Sequence, residues 1–170
     1  QLESLVVDGS KLANVDLGEL LPLRRLVVNE LDSLDTLSVV NVPELRTTFR
    51  LMHAPRQLKI RNALALSGLS LESDPWPSDA EVTGLRDVEW FAAGGPAVDD
   101  SLFDVLLDCR SMDSLTLAYC SLSREKLKRI GEFSKLRVLS LPGAEIDDQV
   151  TEDWADLTAL LDVNLNDTQI

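Results

Sequence analysis

Few residues of this sequence are suited to catalysis. The chain has one histidine, His53, and two cysteines, Cys109 and Cys120. Nucleophilic catalysis needs a nucleophile with a base beside it, and no serine or cysteine here stands in a motif with a matching base. One histidine and two cysteines do not complete a four-ligand soft metal site without carboxylates. Gly94-Gly95-Pro96 lacks the lysine and the following spacing of a phosphate-binding loop. The chain therefore reads as a non-enzyme with no cofactor and no metal. His53 is expected near the surface at the end of a strand. The cysteines are expected to act as small hydrophobes, Cys109 in the core and Cys120 at a turn. What remains is the chemistry of recognition. Tryptophan and arginine dominate binding hot spots, which directs attention to Trp90, Arg25 and Arg50 and to the elements that position them.

Those elements follow from a repeat. Val98, Leu122, Ile146 and Ile170 recur every 24 residues. Behind Leu122 stand Met112, Leu115, Leu117 and Cys120. Behind Ile146 stand Leu136, Leu139, Leu141 and Ala144, and behind Ile170 stand Leu160, Val163, Leu165 and Thr168. Two apolar residues separated by one residue share a face of a short strand. Between the strands the spacing becomes helical, as in Phe103, Leu106, Cys109 and Met112 or Leu127, Ile130, Phe133 and Leu136. Asp99, Ser123 and Asp147 stand where such helices would need an N-cap. The first half phases less regularly, with strand starts at Leu5, Leu26, Phe49 and Leu69, followed by Phe91, Leu115, Leu139 and Val163.

The ladder L-x-x-L-x-L-x-x-(N/C/T)-x-L resembles the leucine-rich-repeat family, in its asparagine-poor variants. The resemblance implies an α/β fold, a right-handed solenoid of about eight coils whose concave wall is a parallel sheet. Convex helices are expected in the C-terminal half, with irregular or extended convex segments in the N-terminal half. Pro43, Pro55 and the β-branched run Val39, Val40, Val42 disfavour helix there. The runs Leu37–Val39 and Leu58–Ile60 are placed on the convex side, the alternative being extra strands in the concave sheet. Residues 74–79, with Pro75 and Pro77, read as a bulge between coils. Residues 1–170 form a single domain, expected to be part of a longer protein.

Solenoids bind on their concave face, and the phasing places Arg25, Arg50, Met52, Glu72, Trp90, Asn164 and Asn166 there. Trp90 either stands as a hot spot, folds over an adjacent rung or, with the phase one residue off, belongs to the core. The C-terminal rungs are small and polar (Ser114, Thr116, Ala118, Ser140), a shallow surface suited to an extended protein segment. The basic run Arg46, Arg50, Arg56, Lys59 and Arg61 reads as a solvated face, not one patch. A net charge of −13 repels nucleic-acid phosphate and anionic lipid. The same charge favours a basic or neutral partner, so the expected partner is a protein, with no nucleic acid and no membrane. Repeat ends without polar caps add the possibility of end-to-end contact.

Overall fold

Strands form where leucine and valine alternate with polar residues, because period two sends alternate side chains to opposite faces. Thr36-Leu37-Ser38-Val39-Val40 shows it: Leu37 and Val39 are buried, and their neighbours are half-buried. The computed structural model describes residues 3–8, 12–18, 24–31, 34–71 and 75–170. In chain order its strands are β1 (Ser4–Asp8), β2 (Asn14–Gly18), β3 (Arg25–Leu31), β4 (Thr36–Val40), β5 (Arg46–Leu51), β6 (Gln57–Arg61), β7 (Leu66–Leu71), β8 (Glu81–Thr83), β9 (Trp90–Gly94), β10 (Ser114–Ala118), β11 (Val138–Ser140) and β12 (Asp162–Asn164). The helices are α1 (Asp100–Leu106), α2 (Arg124–Lys128) and α3 (Asp148–Thr151).

The strands make two parallel sheets, giving an α/β fold. The larger has eight strands in the order β1-β3-β5-β7-β9-β10-β11-β12, and the smaller has four in the order β2-β4-β6-β8. All eight strands read from the sequence lie in the larger sheet, and Leu115 and Leu139 sit side by side on neighbouring strands. The runs around Leu37 and Leu58 are strands of the smaller sheet and add nothing to the larger one. The partners β2 and β8 in that sheet were not foreseen, since each presents only a short apolar signal, Val15 and Leu17 in one and Val82 in the other.

One core cluster joins both sheets. Leu26, Phe49, Leu69, Phe91, Leu115 and Leu139 are at most 2% exposed, as are Leu37, Leu58 and Ile60 from the smaller sheet. Each such side chain contributes about 1.5–3 kcal/mol by leaving water.

Three expectations need correction. Leu26 stands opposite Thr47, and Val28 opposite Phe49, so the step from β3 to β5 is two residues shorter than the leucine spacing suggests. Thr47 occupies an inward place where the pattern asks for an aliphatic residue. A two-residue shift keeps every side chain on its original face, so the in–out assignment survives while the rows move. Second, the C-terminal half has no layer of convex helices. The helical stretches are short: α1 has seven residues, α2 five and α3 four, the last two running on into 3-10 turns. The apolar stripes are buried as expected, but repeats of 24 residues leave little chain for helix once strand and turns are formed. The caps are where the sequence places them: Asp99 accepts from the Ser101 and Leu102 amides, Ser123 from Lys126, and Asp147 from Val150. Third, the proline segment is more than a bulge. Trp76 is 5% exposed and packs on Phe91 with ring centroids 5.4 Å apart, and its amide donates to the Gly94 carbonyl.

After β9, β10 and β11, and again after β12, the backbone turns through a left-handed residue at a constant interval: Gly95, Tyr119, Gly143 and Asp167. Glycine and aspartate suit this region. Tyr119, at φ 51°, is the exception, and a bulky residue there is strained.

Candidate binding face

The outward residues of the larger sheet form rows across the strands. One row runs Val27, Thr48, Gly68, Trp90, Ser114, Val138, Asp162. The next runs Arg50, Ser70, Ala92, Thr116, Ser140, Asn164. Trp90 has a glycine on one side and a serine on the other. Its indole lies over Gly68: a Cβ built there would fall on Cε2, Cζ2 and Nε1 of the ring. From this seat the half-buried ring reaches past β7, and the Arg50 guanidinium of β5 stands 5.3 Å from its centroid. That is within cation–π range. The sequence left three readings of Trp90 open, and the half-buried ring does fold over an adjacent rung. In doing so it meets an arginine.

Arg25 lies three strands from Trp90, and its register neighbour is Arg46. The two line one depression with Val27, Thr48 and Ser67. Sequence reading missed Arg46 as a face residue because it phased β5 on Phe49. Repeating the preceding interval of 21 residues, from Leu26 to Thr47, would have put Arg46 beside Arg25. Lys59 and Arg61 belong to the smaller sheet and pair with Glu81, so the basic run is indeed split.

A second shallow depression is floored by Ser70, Ala92, Gly94, Thr116 and Ala118, with Pro75 and Tyr119 at its margin. Tyr119 is 60% exposed. Its ring lies where a Cβ on Gly143 would stand, and its hydroxyl donates to Asp167 at 3.3 Å. No sequence reading singled out Tyr119. The 24-residue interval from Gly95 to Gly143 marks it as the one aromatic in a glycine series.

The remaining predicted site residues are dispersed. Met52 is half-buried just beyond β5. Glu72 lies outside the described residues. Asn164 ends β12, three strands from Trp90, and its side-chain oxygen accepts from the Asn166 amide at 3.1 Å. The structure thus groups Trp90 and Arg50, sets Arg25 with Arg46 nearby, and leaves Asn164 and Asn166 at the far edge.

The reactive candidates are placed as follows. His53 is exposed, beyond the end of β5. Burial pushes the Cys109 thiol up to about 12, and raises Cys120 as well. A raised thiol is a poor nucleophile at neutral pH. Among the described residues no group of three or more histidine, cysteine, aspartate or glutamate side chains is arranged to hold a metal ion. Among the same residues no helix is long and apolar enough to cross a membrane.

Comparison with protein-family models, with curated proteins and with solved structures yields no match.

Proposed function

We propose that the chain is a leucine-rich-repeat solenoid, wound right-handed, that works as a protein–protein interaction module and holds its partner on the open, concave face of the larger sheet. Its work is recognition and not catalysis. Support for the winding comes from eight parallel strands in near-sequential order. Connections between parallel strands are right-handed in almost all proteins. The single observation that carries the binding reading is the Arg50–Trp90 pair seated on Gly68. It sets two hot-spot residue types side by side, already ordered, on a face otherwise made of small side chains. Ordering before binding lowers the entropic cost of association.

The test compares capture from a lysate of the source organism by the native chain and by a W90A/R50E variant. A protein retained by the first and lost by the second should, once purified, shield Trp90 and Met52 from hydroxyl-radical labelling while Trp154 labels as before. Equal retention by both chains refutes the face.

A second reading, a self-assembling or spacer segment, is favoured by a different observation. The edge strands β1 and β12 expose apolar residues, Leu5 at 39% and Val163 at 47%, where the register neighbours on the next strands, Leu26 and Leu139, are buried. A size in solution that grows with concentration, with no captured partner, selects that reading.

A further inference from the structure

The geometry points to the kind of partner: an acidic, extended peptide segment whose carboxylates engage Arg25, Arg46 and Arg50. This rests on the open-face reading above and narrows it. The first observation is which cations are left over. Among the described residues, Arg56, Arg61, Arg86, Arg124, Arg129 and Arg137 each pair with a carboxylate, as do Lys59, Lys126 and Lys128. Six described cations form no ion pair among those residues, Arg24, Arg25, Arg46, Arg50, Arg110 and Lys135, and three of them, Arg25, Arg46 and Arg50, share one sheet face, although the chain carries 29 acidic side chains against 16 basic ones. The carboxylate of Asp87 feels Arg46, but both of its oxygens accept from Arg86, at 2.9 and 3.1 Å. Three exposed arginines with no ion pair among the described residues thus stand at one end of one sheet face of an acidic protein.

The second observation is spacing. Arg25 and Arg46 are register neighbours on β3 and β5, about 4.8 Å apart along the hydrogen-bonding direction. Arg50 lies four residues further along β5, on the same face, or roughly 13 Å at ~3.3 Å per residue. An extended chain laid along β5 presents same-side residues at i, i+2 and i+4, so carboxylates at i and i+4 meet Arg46 and Arg50. Thr48, between them and half-buried, faces the residue at i+2. The third observation is that Arg50 is held by the Trp90 ring, so its guanidinium is positioned before a ligand arrives. Arginine is suited to the task because its planar fork donates two hydrogen bonds to a carboxylate.

The probe is a fluorescently labelled peptide alternating glutamate and alanine, ~12 residues long so that it overspans Arg25 to Arg50 at ~3.3 Å per residue. Controls are the glutamine–alanine peptide and a single-stranded oligonucleotide of similar length. Anisotropy is read on the native chain, on R25Q/R46Q/R50Q, and on R110Q/K135Q, which removes exposed cations away from the face. The glutamate peptide should bind the native chain and the R110Q/K135Q variant alike, bind the triple variant roughly tenfold more weakly, and weaken as salt rises. The glutamine peptide should not bind. Equal binding of the glutamate peptide to the native and triple-variant chains overturns the inference, as does tighter binding of the oligonucleotide. If the acidic peptide fails while Trp90-dependent capture persists, the partner's chemistry is wrong and the face stands. If the peptide binds through the arginines while capture ignores Trp90 and Arg50, the reverse holds.

Discussion

Gly68→Ala is the substitution that most directly examines the seat of Trp90. Gly68 has no positive φ, so alanine fits the backbone. The added methyl cannot coexist with the indole, which must retreat by more than about 1 Å to reach ordinary carbon–carbon separation. Since the ring is clamped between the strand below and Arg50 beside it, retreat means leaving the seat. The loss of an exposed cation–π contact costs about 0.5–1 kcal/mol. Alanine in place of glycine inside a strand returns about 0.5–1 kcal/mol. The two nearly cancel, so folding stability should change by less than about 1 kcal/mol. Binding should not be spared. Without its seat, Trp90 no longer holds Arg50, and affinity for a captured partner should fall by about 2 kcal/mol, roughly thirtyfold, as for a truncated hot spot. Acrylamide quenching reads the ring directly, because Trp76 and Trp154 are only 5% and 9% exposed. The variant should gain a strongly quenched component with an unchanged denaturation midpoint. Quenching identical to that of the native chain would refute the seat. A loss of several kcal/mol in stability would instead make Trp90 a core residue and remove the main support for the binding face.

Trp76→Ala should behave in the opposite way. It empties a buried site against Phe91 and should cost about 3–5 kcal/mol in chemical denaturation; a change under about 1 kcal/mol would mean that the proline segment is a surface bulge after all. The ion pair between Asp113 and Arg137, which links β10 to β11 on their entry side, makes a pH prediction. Its hydrogen bond to Arg137 holds the Asp113 carboxyl below the usual carboxylate range. A carboxyl lowered in the folded state contributes stability above its unfolded value and loses it as pH falls through the folded one. Carboxyl NMR titration should find Asp113 low in the native chain and shifted upward in R137Q; an ordinary Asp113 midpoint with Arg137 present refutes the pairing.

The larger sheet was legible because its C-terminal repeats place aliphatic side chains at the strand positions at a fixed interval of 24 residues. Leu115, Leu139 and Val163 fall into register with no adjustment. Legibility failed where a residue departs from type. Thr47 takes an inward place, which hid the true interval between β3 and β5 and with it the pairing of Arg46 and Arg25. The smaller sheet was half legible: Leu37-x-Val39 and Leu58-x-Ile60 stand out, whereas β2 and β8 are stabilised by their neighbours more than by their own pattern. Helix extent was overread because an apolar period of three or four residues marks which face is buried and not how many backbone turns close. The environment of Trp90 needed the strand order, for nothing local to Trp90 predicts that a glycine 22 positions earlier lies beneath its ring.

The same device occurs twice on the open face, and its orientation matters. A large ring lies over a glycine on the next strand or turn: Trp90 over Gly68, Tyr119 over Gly143. The two rings lean apart. Trp90 tips toward β7, on the N-terminal side, and Tyr119 tips toward the turn after β11, on the C-terminal side. Rings that served only to cover the sheet would lower its energy most by folding inward over Ala92 and Thr116, where small side chains leave apolar backbone and methyl groups to be covered. Leaning outward, they leave that floor open, with Tyr119 at its margin. Tyr119 does so at the expense of a left-handed backbone that its neighbours in the series meet with glycine or aspartate, a cost on the order of 1–3 kcal/mol. Strain retained at an exposed position, beside a floor of side chains no larger than threonine, supports the proposal that this face receives an extended chain.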